Sequence, residues 1–447
     1  MRRIKREYWG WALYDWANSA YAVSVLAVVF QLYFVDVLAT RVDPSTGERV
    51  AGVEILGATI PGGSLWSWTV AASMALVVLL SPIVGAVADY GASKKRFLAV
   101  FCAVGAAATA GMVVLGPGMW GLGVLLFIVS NICFVCGNVV YNGLLTDVAE
   151  SEADVGFLSS FGWGLGYAAS FLMLLLNLVL ITLKVPSEAW SVRVSLLCVG
   201  LWWALFAIPT FLWVRERGRP GAVPEGRSVL SIGFVQIVET LRRLPRYSQL
   251  LVFMAAFFLY NDGIQTIIAQ AATFARLALE ADLDAIIPAF LMIQFVAFFG
   301  SLLFIRVERR WGTRRALLAA LAVWIALIGW ALVMRTLTEF YVMAFFGGLV
   351  LGVSQSASRT LYALMIPRAK SAEFFSLYAI VGKVASLVGP VLFGVGVLFA
   401  PSFERLPVFN SMAGAVAPLL LMVVAGALLL LRVDVARGRA EIGADEG

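Results

Sequence analysis

Long apolar blocks, separated by short polar stretches, run the length of this chain. A helix needs about 20 mostly apolar residues to cross the roughly 30 Å hydrocarbon core of a bilayer. Twelve blocks of that length can be drawn, over residues 8–39, 65–88, 97–116, 119–146, 156–183, 194–214, 249–276, 285–306, 315–334, 339–365, 373–399 and 409–432. The pattern predicts an all-α integral membrane protein with twelve transmembrane helices. Its longest polar interruption, residues 215–248, opens on Arg215, Arg217, Gly218, Arg219, Pro220 and Gly221 and closes on Arg242, Arg243, Pro245 and Arg246. It separates six spans from six. The expected organisation is an N-terminal six-helix bundle (1–214), a cytoplasmic linker (215–248), a C-terminal six-helix bundle (249–432) and a cytoplasmic tail (433–447). Within the linker, Val229 to Leu241 suits either an amphipathic segment on the membrane face or a plain solvated connection.

Composition agrees: 61% of the residues are hydrophobic and 13% charged, with a mean hydropathy of +0.92. Most of the Lys and Arg residues fall on one side of the predicted spans. Arg41, Arg49, Lys184, Arg193, Arg276, Arg335 and Arg405 fall on the other, and Arg359 and Lys383 lie within spans. Basic loops are retained in the cytoplasm, so both termini are expected there. The net charge of +6 then reflects topology and contact with anionic lipid, and a nucleic-acid role is not expected. Arg2, Arg3, Lys5 and Arg6 lead into a span too long for a cleavable signal peptide.

Several chemistries lack their residues. There is no phosphate-binding G-x-x-x-x-G-K-[ST] loop, so energy is expected from an ion gradient. Cys102, Cys133, Cys136 and Cys198 all fall within apolar blocks, which favours packing over disulfide, redox or metal roles. No repeated selectivity loop suggests a channel. No metal and no cofactor are expected. The chain contains no histidine, so any proton coupling must fall on carboxylates.

Two such carboxylates, Asp15 and Asp262, sit inside apolar blocks, each following a Leu-Tyr pair, Leu13-Tyr14 and Leu259-Tyr260. A charge at the bilayer centre costs about 2.5 to 3.5 kcal/mol on insertion scales, so it usually faces a cavity or pathway. Asp262 lies near the midplane and is the best candidate for a coupling acid. Asn18 and Ser19 share the Asp15 face, three and four residues on. Arg359 and Lys383 are the intramembrane cations. An amino acid presents a carboxylate beside an ammonium, which suggests Arg359 or Lys383 for the former and Asp262 for the latter, the protein groups pairing with each other when the site is empty. Tyr14, Trp16, Tyr141 and Tyr260, with Asn138, Asn142 and Gln355, are candidates for the same lining. Asp147, Glu150, Glu152 and Asp154 form an acidic loop that reads as a gate partner for basic loops.

The stretch Gly85-Ala86-Val87-Ala88-Asp89-Tyr90-Gly91-Ala92-Ser93-Lys94-Lys95-Arg96 resembles the glycine-aspartate-basic loop of the major facilitator superfamily. Its counterpart in the second half is degenerate, with Glu308, Arg309, Arg310, Gly312, Arg314 and Arg315. Gly85, Asp89, Gly91, Lys95, Arg96 and Asp147 are therefore the expected cytoplasmic gate. Gly166-Tyr167-Ala168-Ala169-Ser170 parallels Gly382-Lys383-Val384-Ala385-Ser386, in register with a duplication that would place the transport path between two bundles.

Within that superfamily, the run Trp11 to Ala20 resembles the opening helix of the vacuole effluxer-like family, whose fungal members export amino acids from the vacuole. So do Phe258-Leu259-Tyr260-Asn261-Asp262-Gly263-Ile264-Gln265-Thr266 and the stretch from Ser358-Arg359-Thr360-Leu361 through Glu373-Phe374-Phe375 to Gly389-Pro390. The resemblance implies a non-enzymatic secondary transporter working by alternating access. The expected cargo is an amino acid or similar metabolite, coupled to protons or another ion, with Asp15, Asn18, Asn142, Asp262, Gln265, Gln355, Arg359 and Lys383 as site candidates. A broad-specificity drug or metabolite exporter is the alternative, and an intramembrane enzyme acting on lipid a remote one. The long insertions of the fungal members are missing, so a bacterial-type plasma membrane is the expected location. Twelve spans can complete a pathway in a single monomer.

Overall fold

The computed structural model describes residues 4–42, 49–55, 58–90, 94–217, 238, 242, 244–281, 283–398 and 408–446. Gly91, and the linker segment 229–241 apart from Val238, lie outside the described residues. Among the described residues, twelve helices are long and apolar enough to cross a membrane, and they match the predicted blocks one for one. Helices are the natural solution, since no water in the bilayer core can satisfy an unpaired backbone N–H or C=O.

In chain order the elements are α1 (Arg6–Tyr21), continuing in looser turns to Leu38, then β1 (Thr40–Val42), β2 (Arg49–Ala51), β3 (Val53–Ile55) and β4 (Ala58–Ile60). The first bundle continues with α2 (Gly62–Tyr90), α3 (Lys94–Gly111), α4 (Trp120–Val148), α5 (Glu152–Thr182) and α6 (Glu188–Trp213). The second holds α7 (Ser248–Ala269), a short α8 (Ala271–Leu279), α9 (Leu283–Trp311), α10 (Thr313–Ala331), α11 (Leu337–Leu364), α12 (Ser371–Leu398) and α13 (Ala413–Leu430). A tail helix, α14 (Val435–Glu446), follows.

Three features depart from the sequence expectation. The first span is broken at Val28, where the backbone leaves the helical region at φ −133° and ψ −71°. Between the first two spans, β1 pairs antiparallel with β2 and β3 with β4, two small ladders in a chain otherwise read as all-helical. The tail is itself a helix. Asp434 caps it, its carboxylate accepting from the backbone N–H groups of Ala436 (2.9 Å) and Arg437 (3.1 Å), and satisfying such terminal donors is what lets a short helix start.

The two six-helix bundles are related by an exchange of contacts. In the first, α1 packs on α5 and α6, and α3 on α4 and α6; in the second, α7 packs on α13, and α11 on α9 and α10. Between bundles, α5 packs on α9 and α11, while α12 packs on α2 and α4. Each bundle's fifth spanning helix thus lies against the second and fourth of the other. The sequence parallel of Gly166 with Gly382 makes α5 and α12 equivalents, and the packing agrees.

Candidate functional site

Polar side chains between the bundles fall into layers, counted from the membrane face that carries the termini. The outermost layer closes that face. Lys94, the first residue of α3, is only 3% exposed. Its ammonium lies 3.1 Å from Asp89 Oδ1 and 3.2 Å from Asp147 Oδ2, and donates across the interface to Ser371 Oγ at 2.9 Å. The Ser371 hydroxyl in turn donates to the Gly143 carbonyl at 2.9 Å, and the Glu373 N–H donates to Asp89 Oδ2 at 2.8 Å. Asp89 thereby occupies the N-terminus of α12, where free N–H groups and the helix dipole favour an anion. Glycine makes the approach possible. A Cβ on Gly85 would stand 2.5 Å from the Ala372 carbonyl oxygen, and one on Gly143 would stand 2.8 Å from the Ala372 Cβ.

Of the expected gate residues, Gly85, Asp89 and Asp147 meet here. Lys95 and Arg96 do not. Lys95 donates instead to the Val214 carbonyl at 2.8 Å, and Arg96 is exposed. The gate's cation is Lys94, and its partners on the second bundle are Ser371 and Glu373, which sequence reasoning missed. The five-residue step from Asp89, at the end of one helix, to Lys94, at the start of the next, was the available signal.

One layer deeper, Arg359 crosses from α11 into the first bundle. It lies about 8 Å from the α11 end at Leu364. Its Nη1 and Nη2 each lie 3.1 Å from Asp15 Oδ2. Nε donates to Ser159 Oγ at 2.9 Å, Nη2 to the Ser159 carbonyl at 2.7 Å, and Nη1 to Asn142 Oδ1 at 3.3 Å. The guanidinium lies between the rings of Trp11 (5.0 Å) and Trp163 (5.3 Å), an arrangement that favours a desolvated cation by about 2 kcal/mol. Trp11 is itself fixed by stacking on Tyr141 at 4.5 Å and donating to the Tyr141 carbonyl at 3.2 Å. The Asp15 carboxylate reaches this position because residue 162 is glycine; a Cβ there would lie 2.4 Å from Oδ2.

The expected pairing of a buried cation with Asp262 is not formed. Asp262 is fully buried within the second bundle, its Oδ1 accepting from the Thr266 hydroxyl at 3.3 Å and its Oδ2 without a hydrogen-bond partner among the described residues. It faces α12 at Gly389, where a Cβ would lie 2.6 Å from Oδ1. The physical reason is register. Asn261 separates Asp262 from its Leu-Tyr pair, whereas Asp15 follows its pair directly, and one extra residue turns a helical side chain by about 100°.

The third layer lies one turn further in. Asn18 donates to Asn138 Oδ1 at 2.8 Å. Gln355, one turn from Arg359, is half-buried, as are Trp163, Lys383 and Gln265. Lys383 follows Ala372 by eleven residues, about three full turns, so it shares the face of α12 that meets the first bundle. It makes no ion pair with the described residues. Tyr14 packs within its own bundle against the Tyr141 ring at 4.8 Å, and Tyr260 bonds Ser358 Oγ at 2.7 Å within the other.

Two bundles with exchanged fifth helices and a polar seam between them define a membrane transporter of the major facilitator type. The chain belongs to the vacuole effluxer Atg22-like family, whose model matches residues 3–443. It is 30% identical over 401 residues to the MFS-type transporter YxiO of Bacillus subtilis, covering 88% of this chain and 89% of that one. It is 27% identical over 435 residues to Autophagy-related protein 22 of Eremothecium gossypii, covering 87% and 85% respectively. Among solved structures, the major facilitator proton:xylose symporter XylE superposes with a TM-score of 0.67 at 14% identity, over 96% of this chain and 94% of that one. Homologues and fold alike are those of transporters, so the protein is a multi-pass integral membrane protein that moves a small molecule across the bilayer.

Proposed function

We propose that the protein is a proton-coupled secondary transporter of amino acids or similar small metabolites. Residues 1–214 and 249–432 rock against each other around the central seam, with residues 215–248 as the linker. The observation that carries this reading is the Asp15–Arg359 pair. It joins the two bundles through buried charges, and alternating access requires such a contact to break and re-form in each cycle. With the Lys94 layer beneath it, the face bearing the termini is shut in this conformation. Both termini are cytoplasmic in this proposal, on the strength of the basic loops, and the conformation therefore has its cytoplasmic side closed. The membrane is a bacterial-type plasma membrane, and one chain suffices for the path.

Cargo recognition falls to the third layer. Lys383 offers an uncommitted ammonium to a substrate carboxylate, and Asn18, Asn138 and Gln355 offer amides. Asp15 then has two partners to choose between, Arg359 or a substrate ammonium. Release of Arg359 on substrate binding would loosen the floor of the path, which links occupancy to opening. Asp262 is the coupling acid in this scheme, a carboxylate with no counter-charge beside the Gly389-Pro390 step of α12. A proline there lacks the N–H that would bond one turn back, so α12 can bend at that level.

The deciding experiment is uptake of a labelled amino-acid panel into proteoliposomes, with and without an inward proton gradient. Gradient-driven accumulation of a panel member supports the proposal. Uptake of none, by protein that retains its fold, would remove amino acids as cargo.

A further inference from the structure

The closed layer around Lys94 has a counterpart in the second half that lacks its cation. In the register that sets Gly166 against Gly382, Ala372 on α12 corresponds to Gly156 on α5. Ala372 sits against Gly85, one turn before Asp89 at the end of α2, and Gly156 sits against Glu308; a Cβ on Gly156 would lie 2.2 Å from Glu308 Oε2. Asp89 and Glu308 are therefore equivalents at the ends of α2 and α9. Five residues after each begins the next helix, with Lys94 in the first half and Thr313 in the second. Thr313 donates to Glu308 Oε1 at 2.5 Å, but it is far shorter than lysine and carries no charge.

A cavity of about 460 Å³ opens at this place. Its walls come from both bundles, with Phe157 of α5 facing Ile305 and Arg309 of α9, and from the tail helix through Arg439. Most of its charged groups are committed. Arg439 pairs with Glu152, Arg314 donates to the Leu430 carbonyl at 3.2 Å, and Asp434 caps α14. Glu308 has no ion pair among the described residues, and Arg309 and Arg315 are exposed at the rim. The cavity thus presents one carboxylate and two exposed guanidiniums that form no ion pair among the described residues.

We propose that this cavity binds a zwitterion carrying a primary ammonium and a phosphate or carboxylate. The ammonium stands on Glu308 as the Lys94 ammonium stands on Asp89, and the anionic end meets Arg309 and Arg315. An occupant touches both bundles and so holds the terminal face closed. That chemistry is available from an aminophospholipid headgroup or from a free zwitterion.

The test measures the thermal midpoint of purified full-length protein in detergent, so it does not depend on the cargo. Additions are phosphatidylethanolamine, phosphatidylcholine or soluble phosphoethanolamine, applied to wild type, Thr313→Lys and Glu308→Gln. A ligand that binds only the folded state raises its midpoint. We expect phosphatidylethanolamine to raise the wild-type midpoint by several degrees and phosphatidylcholine, which lacks a primary ammonium, to do little. Thr313→Lys should already be stabilised and gain nothing further, and Glu308→Gln should lose the response. An equal effect of soluble phosphoethanolamine assigns a free zwitterion as the occupant, and an effect of the lipid alone assigns a headgroup. Equal responses in wild type and both variants, or to both lipids, overturn the proposal. If Thr313→Lys does not fold, Glu308→Gln alone decides it.

Discussion

Arg359 and Asp15, separated by 344 positions in the chain, meet at 3.1 Å with both side chains buried. Ser159, Asn142, Trp11 and Trp163 complete the surroundings of the guanidinium. Removing one partner of a buried pair leaves the other uncompensated, at about 3 to 5 kcal/mol. Arg359→Gln and Asp15→Asn should each lower the thermal midpoint and abolish transport. The double variant should recover most of the midpoint without recovering transport. A double variant as unstable as the worse single one would show that the pair is not the coupled unit described.

At the closed face, Gly85→Val should keep the bundles apart, since even a Cβ would stand 2.5 Å from the Ala372 carbonyl oxygen. In a cysteine-free background carrying Ser371→Cys, a water-soluble maleimide should label that position several-fold faster when residue 85 is valine. Unchanged labelling would mean the helices close without the glycine.

Lys94→Gln leaves Asp89 and Asp147 buried without their shared cation. The same labelling assay should report an opened face, and transport should fall at least tenfold. Lys95→Gln, which removes only a bond to a carbonyl, should change either readout less than twofold. Equal effects of the two substitutions would return the gate charge to the loop as a whole.

Asp262→Asn preserves the size and the Thr266 bond of a side chain that has no ion pair among the described residues. Its stability should stay close to that of wild type. Gradient-driven accumulation should vanish while counterflow of the same substrate persists. Loss of both activities together would make Asp262 a binding or folding residue rather than the coupling acid.

Lys383→Gln removes a charge that makes no ion pair among the described residues, so the midpoint should hold or rise. Transport of a carboxylate cargo should show a KM raised about tenfold, which corresponds to the roughly 1.4 kcal/mol that separates tenfold affinities. An unchanged KM would place the carboxylate elsewhere.

The spans were legible in the sequence because the bilayer imposes one length and one polarity on every crossing helix. The duplication was legible too, through the runs that begin at Gly166 and Gly382, which fall on the two helices that exchange places between the bundles. What the sequence could not supply was azimuth. The Leu-Tyr pairs suggested that Asp15 and Asp262 occupy matching places, but the intervening Asn261 sends the second carboxylate into its own bundle. Contacts between halves were hidden for a related reason. That Lys94 reaches Ser371, or that Arg359 reaches Asp15, depends on how the two bundles dock. No local periodicity encodes that docking. The hairpins between the first two spans escaped notice because strands of three residues leave no alternating pattern long enough to read.

The single additional residue at position 261 also bears on how two copies of one module come to differ. New chemistry is commonly pictured as a change of residue type, yet here both copies retain tyrosine and aspartate. They differ in rotation, one acid having a partner across the molecule and the other lying within its own half. Removing one residue from that turn would, by the same step of about 100°, bring the second acid round toward the face that its counterpart occupies.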